Sequence, residues 1–159
     1  MNEKFMKIAQ KLALGSNGDI PVGAVIVKND EIIAIASNET EKTNDVTAHA
    51  EIVAIKKASE LLNNWRLDEC ELYVTLEPCP MCAGAIVAAR LSRLVYGAPD
   101  ARTGAVESIF NIPGHPSLHH TLLVTAGVME EECRTLLKKF FEERRLETFL
   151  HCGDNPPML

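Results

Sequence analysis

The sequence lacks any long apolar run. Its longest apolar segments, residues 21–27 and 83–89, have seven residues each, whereas a helix that crosses a membrane needs about 20. The first residues also lack the basic segment followed by an apolar one that is typical of a secretory signal. We therefore expect neither a membrane span nor a leader.

The chain also lacks a disulfide framework. Its five cysteines are an odd number without regular spacing: Cys70, Cys79, Cys82, Cys133 and Cys152. Small secreted scaffolds use paired, closely spaced cysteines. We therefore expect a reducing, cytoplasmic setting in which the thiols remain available for metal binding or chemistry.

Basic charge and aromatic residues are scarce. The formal net charge is -6 and aromatics make up 5%, which excludes a uniformly basic nucleic-acid coat and does not indicate extensive base stacking. The charge is uneven, because residues 1–78 hold 8 basic and 13 acidic side chains, and residues 79–159 hold 8 and 9. A polyanion is therefore expected to meet the second half.

What remains is an ordinary globular composition, with 47% hydrophobic and 24% charged residues in 159, which predicts one domain. Helical patterning predicts helices over 3–14, 49–62, 80–90 and 129–145, and short apolar runs predict strands over 22–27, 32–36, 72–76, 94–96 and 122–125. This alternation predicts a layered α/β domain over residues 1–145, followed by a tail of uncertain order over 146–159. The long irregular segment 99–120 is of a length that is usually functional.

Two short motifs, residues 49–51 (His-Ala-Glu) and 78–82 (Pro-Cys-Pro-Met-Cys), each stand at a predicted helix start. Cys79 and Cys82 are three residues apart, so their sulfurs share one face of the first turn. The positive end of the helix favours thiolates, and a pair of thiolates suits zinc.

Other interpretations of these motifs stay open at this point. A strand, a CxxC motif and a helix also form the thioredoxin-type redox arrangement, so the cysteine motif alone fits redox and metal chemistry equally well. A structural zinc needs four protein ligands, whereas His49, Cys79 and Cys82 give three and no fourth is evident. Three ligands leave an open position, which is the pattern of a catalytic site.

Glu51 favours the catalytic interpretation. It lies about 200° around the helix from His49, so the two cannot both bind one ion from the middle of one face. Beside the metal, however, its carboxylate can take a proton from water whose pKa zinc lowers to about 7, and return it to a substrate. The alternative is a solvated glutamate at a helix start.

H-x-E combined with P-C-x-x-C is the signature of the zinc nucleobase deaminases. Over residues 3–145 the sequence further resembles the bacterial tRNA-specific adenosine deaminases. The stretches that carry this resemblance are 18–25, 47–52, 64–67, 72–85, 96–105 and 140–145. The segment 97–105 and the Phe-Phe and Arg-Arg pairs of 140–145 are what distinguish the tRNA enzymes.

The resemblance implies a cytidine deaminase-like fold, a three-layer α/β/α sandwich with a five-stranded mixed sheet, and a homodimer. It implies one Zn²⁺ per chain, held by His49, Cys79 and Cys82. The reaction would be hydrolytic deamination of adenosine to inosine at the wobble position, in the anticodon loop of an arginine tRNA. Glu51 would carry protons from water to the ring nitrogen and then to the leaving amine.

The resemblance also implies the substrate contacts. Asn38 would contact the base and backbone groups near Ala50 and Cys79 would complete the pocket, while Asp100 and Arg102 would hold the flanking nucleotides. Arg144 and Arg145 would face the RNA. Without the resemblance, Asn38 could be a turn residue and the charged residues solvated.

The sequence departs from the family pattern at Val46, at Glu107, and at His119 with its neighbours. The departure at His119 falls in the expected tRNA contact surface, so the resemblance does not assign all of that surface. Two rival interpretations are a free nucleobase or nucleoside deaminase, acting on guanine or cytosine, and a non-catalytic zinc or redox module in which Glu51 is incidental.

Overall fold

The computed structural model describes residues 2–152, and its centre is a five-stranded mixed sheet. The strands are β1 (Gly23–Lys28), β2 (Glu31–Ser37), β3 (Cys70–Leu76), β4 (Arg93–Ala98) and β5 (Leu123–Thr125). In the order β2-β1-β3-β4-β5, the pairs β1–β2 and β1–β3 are antiparallel, and β3–β4 and β4–β5 are parallel. The predicted mixed sheet is confirmed.

Helices cover both faces of this sheet. They are α1 (Asn2–Leu14), α2 (Thr40–Thr43), α3 (Ala50–Leu62), α4 (Pro80–Ala88) and α5 (Glu130–Cys152). Side chains alternate between the faces along each strand: Val25 and Val27 pack with α1 and α5, whereas Ala24 and Ile26 pack with α3 and α4. The result is the predicted three-layer α/β/α sandwich.

The parallel pair of strands determines where a site can form. In open α/β sheets, ligands bind beyond the carboxyl ends of the parallel strands. β3 ends at Leu76, and α4 begins only a few residues later at Pro80. This short connection holds the cysteine motif at that edge of the sheet, and the first turn of α3 lies beside it.

The structure differs from the sequence-based assignment at two elements. The short helix α2 lies within residues 38–47, which the sequence predicted as a polar loop, because Asp19 accepts hydrogen bonds from the backbone of Glu41. The last helix continues to Cys152, beyond the predicted end at Arg145. The last part of the predicted tail, residues 153–159, lies outside the described residues. Among residues 2–152, no helix is both long and apolar enough to cross a bilayer.

Candidate active site

His49, Cys79 and Cys82 converge from two helix starts. His49 and Cys79 are the residues that precede α3 and α4, both with extended backbone, and Cys82 lies in the first turn of α4. His49 Nδ1 is 3.7 Å from Cys79 Sγ and 3.5 Å from Cys82 Sγ. In a tetrahedral zinc site, sulfur and nitrogen ligands lie about 3.5–3.6 Å apart, given bonds of about 2.3 and 2.0 Å. The three side chains therefore fit a metal ion of this kind, and their ligand atoms all lie within 4.8 Å of one another.

The protonation of the two thiols reflects their contact. The hydrogen bond from Cys82 lowers the pKa of Cys79 to about 4, with His49 contributing further, while the same bond and burial raise the pKa of Cys82. The hydrogen bond with Cys79 raises the pKa of His49. These shifts favour the thiolate at Cys79 and the thiol at Cys82, and a metal held by both sulfurs would require the loss of the Cys82 proton.

Glu51 lies in the first turn of α3 and is only 4% exposed. This burial rules out the alternative of a solvated glutamate. Burial is also the main cause that raises the pKa of Glu51 to about 7. A carboxyl group with such a pKa can accept and return a proton near neutral pH, as a general acid–base catalyst must.

A cavity of about 560 Å³ opens onto these side chains. Residues of α2, α3, β3, α5 and the connecting segments line it: Gly18, Asp19, Ile20, Val22, Asn38, Thr40, Glu41, His49, Glu51, Leu76, Glu77, Cys79, Asp100, Thr103, Phe140, Phe141, Arg144 and Thr148. This volume suits a nucleobase with its sugar, since small-molecule pockets span about 300–1,000 Å³.

Asn38 links the end of β2 to the start of α3. Its Oδ1 accepts a hydrogen bond from the backbone N–H of Ala50 at 2.8 Å, so the side chain is more than a turn residue. Asn38 also lines the cavity, and its Nδ2 donates to no described residue, which leaves that group for a ligand. Ala50 itself is fully buried and its N–H is taken by Asn38, so its contact with a substrate stays a prediction.

Asp100 and Arg102 line two different hollows. Asp100 lines the cavity, where its carboxylate accepts hydrogen bonds from the backbone N–H groups of Arg102 and Thr103 and from the Thr103 hydroxyl. Arg102 instead lines an adjoining hollow of about 730 Å³. We call this the cationic hollow, and its lining residues are Arg102, Lys138, Phe141, Arg144, Arg145, Thr148 and Phe149.

The three arginines that the resemblance assigned to RNA therefore meet at one hollow, although Arg102 is about 40 residues from the others. Arg144 differs from its neighbour because it lines both the hollow and the cavity. Its guanidinium donates to the carbonyl of Gly18 and lies 5.3 Å from the centre of the Phe140 ring. Arg144 thus fastens α5 to the loop before β1.

Sequence reasoning missed two buried carboxylates that line the cavity, Asp19 and Glu77. Asp19 holds α2 through the backbone of Glu41. For Glu77, burial raises the pKa, but hydrogen bonds from Glu107, Ser108 and Asp100 outweigh it and bring the pKa below its usual value. The available signal was an acidic residue that directly follows a buried strand.

One of the three departures from the family pattern has a structural explanation, because the Glu107 side chain accepts a hydrogen bond from the hydroxyl of Tyr96 at 2.6 Å. The contact of His119 with Arg90, at 3.2 Å, is made by the backbone carbonyl, which any residue would supply, so it does not explain the histidine. Val46 is 77% exposed, and nothing in the structure explains that substitution.

A histidine and two cysteines at helix starts, with a buried glutamate beside them in this three-layer sandwich, define a nucleobase deaminase of the cytidine deaminase-like class. The family model of the MafB19-like deaminases matches residues 1–145. The tRNA-specific adenosine deaminase of Agrobacterium fabrum is 46% identical over 145 residues, which cover 90% of this chain and 95% of that relative. The chain belongs to this family of deaminase enzymes.

Solved structures agree with this assignment. One, from a study of A-to-I editing by tRNA:A34 deaminases, is 46% identical with a TM-score of 0.82, and the match covers 84% of this chain and 99% of that one. A guanine deaminase from Bacillus subtilis is 39% identical with a TM-score of 0.60, over 90% of this chain and 93% of that one. The same fold thus serves deaminases of both RNA and free bases.

Proposed function

We propose that the protein deaminates adenosine to inosine at the wobble position of tRNA, with an arginine tRNA as the expected substrate. The observation that carries this proposal is that the cavity beside Glu51 adjoins the cationic hollow. A free base needs only the cavity, whereas a nucleotide in an RNA loop also brings neighbouring phosphates. Four cationic side chains at the hollow match that requirement.

We further propose that His49, Cys79 and Cys82 hold one Zn²⁺ per chain. The distances among their ligand atoms and the chemistry of the donors support zinc. When bound, zinc supplies the Lewis acidity that activates water as a nucleophile.

The chain's own residues then perform the proton transfers. Glu51 takes a proton from water and delivers it to the ring nitrogen of adenine, while the water oxygen bonds to the ring carbon that carries the amino group. Glu51 then passes the proton of the new hydroxyl group to the amino group, and the carbon–nitrogen bond breaks to release ammonia and leave inosine. Burial raises the pKa of Glu51 to about 7, which supports its exchange of protons near neutral pH. Asn38 presents its amide to the base, and this orients the base against Glu51.

We propose that Arg102, Arg145 and Lys138 contact phosphates of the anticodon loop, because they line the cationic hollow. Phe141 and Phe149 line the same hollow and are exposed, so they can stack on unpaired bases. A tRNA substrate also fits a cytoplasmic location, where cysteines such as Cys70 and Cys133 remain reduced.

We also propose a homodimer. Ile109, Phe110 and Leu118 expose 51%, 51% and 37% of their surface, and Phe110 and Leu118 line a predominantly apolar hollow of about 340 Å³. Apolar side chains grouped in this way are typical of surfaces that contact another protein. Sedimentation analysis of the pure protein would report its mass directly.

The test of the proposed function is to incubate the pure protein with an arginine tRNA and to sequence the wobble base. Parallel reactions contain free guanine, cytosine or adenosine, with ammonia release as the readout. We expect inosine at the wobble position and little ammonia from the free bases. If guanine or cytosine is deaminated rapidly and the tRNA remains unchanged, the substrate is a free base and the proposed RNA substrate is wrong. No ammonia from any substrate would favour the non-catalytic module.

A further inference from the structure

The side chain of Glu77 is surrounded by the loop at the cavity rim, residues 99–108. It follows β3 directly and is only 2% exposed. Its Oε1 accepts backbone hydrogen bonds from Val106, Glu107 and Ser108 at 3.1, 2.8 and 2.9 Å. Its Oε2 accepts one from the backbone of Asp100 at 2.9 Å and another from the Ser108 hydroxyl.

No lysine or arginine among the described residues forms a salt bridge with this buried carboxylate. Its charge is instead balanced by the dipoles of four backbone N–H groups and one hydroxyl. These donors come from both ends of the loop, since Asp100 and Ser108 lie eight positions apart in the sequence. A single carboxylate therefore closes the loop on itself.

The loop also fits closely around this carboxylate. Gly104 lies so near that a Cβ atom there would overlap Glu77 Oε2 and the carbonyl of Asp100. The backbone N–H of Gly104 donates to that same carbonyl at 2.9 Å. The middle of the loop thus has no room to move toward Glu77, and its two ends are held by hydrogen bonds.

The contacts continue from Glu77 to the cavity and the cationic hollow. Glu77 binds the backbone of Asp100, and the Asp100 carboxylate in turn accepts the N–H of Arg102 at 2.9 Å. We infer that Glu77 is a positioning residue, whose carboxylate shapes residues 99–108 so that Asp100 and Arg102 stand where the nucleotides beside the target base bind. The inference rests on the proposed function in its last step, because that step assigns RNA to Asp100 and Arg102.

Glutamine is the sharpest substitution at this position. It preserves the size of the side chain but replaces one acceptor oxygen with an NH₂ group, which faces N–H donors and repels them. Each hydrogen bond to a charged acceptor is stronger than its neutral counterpart. Glu77→Gln therefore weakens the whole set of loop contacts, whereas Ser108→Ala removes only the hydroxyl. Glu107→Gln is the matched control, because the Glu107 carboxylate lies on the same loop and accepts a hydrogen bond from Tyr96 instead.

The experiment measures hydrogen exchange of the full-length, zinc-loaded protein by mass spectrometry. We expect Glu77→Gln to speed exchange in peptides covering residues 99–108 by about tenfold or more, with unchanged exchange in β1 and unchanged zinc content. Ser108→Ala should give a smaller increase confined to the same peptides, and Glu107→Gln should leave the Asp100 end of the loop unchanged. If Glu77→Gln does not fold, faster exchange of residues 99–108 in Ser108→Ala supports the inference and unchanged exchange overturns it.

Kinetics with an anticodon stem-loop provide the second readout. Loop displacement should raise KM about tenfold while kcat changes by less than about threefold, because Glu51 and the metal ligands stay in place. Unchanged loop exchange in both variants would overturn the inference. Loss of zinc in Glu77→Gln would also overturn it, since Glu77 would then act through Cys79. If the wild-type protein does not bind RNA, the proposed function fails, but the exchange data still decide whether Glu77 shapes the loop.

Discussion

Glu51 and Glu77 are two buried carboxylates on the wall of one cavity, and their surroundings give them opposite properties. Burial raises the pKa of Glu51 to about 7, whereas backbone donors hold the pKa of Glu77 below its usual value. The first can therefore exchange a proton near neutral pH, and the second stays ionised as an anchor. The same residue type thus performs two tasks according to the donors around it.

The first prediction concerns Glu51→Gln. The amide is nearly isosteric with the carboxylate but cannot accept a proton, so we expect deaminase activity to fall by at least about 10²–10⁴-fold. Zinc content and circular dichroism should remain those of the wild type. The control is Glu60→Gln, an exposed position on the same helix, which should retain full activity. A Glu51→Gln protein with more than about a tenth of the wild-type rate would exclude Glu51 from proton transfer.

The second prediction compares two glycines by urea denaturation. A Cβ at Gly104 overlaps Glu77, so Gly104→Ala should lower the free energy of unfolding by about 1–3 kcal/mol. Gly84 lies within α4 with nothing near its missing side chain, so Gly84→Ala should raise it by up to about 1 kcal/mol through helix propensity. Equal effects of the two substitutions would contradict the close fit of the loop around Glu77.

At the scale of elements, the three proposed metal ligands lie at the starts of two helices. His49 directly precedes α3, and Cys79 and Cys82 stand at the start of α4. The two helices also contact each other, and both contribute buried residues to the core on one face of the sheet. A metal bound at their starts would fix their relative position, so metal binding would be coupled to stability.

The third prediction follows from this coupling. We expect about one zinc per chain in freshly purified protein, loss of zinc in His49→Ala, Cys79→Ala and Cys82→Ala, and a lower melting temperature after chelation. Cys133→Ala is the control. That cysteine is buried beside Gly97, away from the metal ligands, so its loss should reduce stability but leave the zinc content unchanged. Metal retained in all three ligand variants would refute the assigned site.

At the scale of the whole molecule, the net negative charge opposes long-range attraction of RNA. The net charge is -6, yet Arg102, Lys138, Arg144 and Arg145 line one hollow. Under the proposed function, RNA binding depends on a few local phosphate contacts, and each contact would contribute to the salt dependence of the affinity.

The fourth prediction separates the cations of the hollow. Arg102→Ala and Arg145→Ala should each weaken tRNA binding and flatten its salt dependence by about 0.7–0.9 in logarithmic slope. Arg144→Ala should have the larger effect on turnover, because it also releases the carbonyl of Gly18 at the cavity edge. Arg134 is exposed and paired with Glu130, so Arg134→Ala serves as the control. Unchanged salt slopes in all the variants would favour a small-base substrate.

The sequence by itself determined the layered fold and the chemistry at the helix starts. Short apolar runs located all five strands, and helical patterning located four of the five helices in residues 2–152. Both signals are local, because a strand covered on both faces is apolar throughout and a helix buried on one face repeats every 3.6 residues. The clustering of His49, Cys79 and Cys82 was predictable because the signal is again local. Cys79 and Cys82 share one turn, and Glu51 and His49 share one helix start, so short-range spacing carries most of the geometry.

Only the tertiary structure decided which distant residues meet. Arg102 joins Arg145 at the cationic hollow, Arg144 reaches Gly18, and Glu77 binds a loop more than twenty residues further along the chain. Hydrogen-bond partners of this kind leave no periodic trace, because any exposed or buried polar residue can accept or donate once the fold brings a partner near. The identity of Glu77 was visible in the sequence, but its task depends on four N–H groups that only the folded loop brings together.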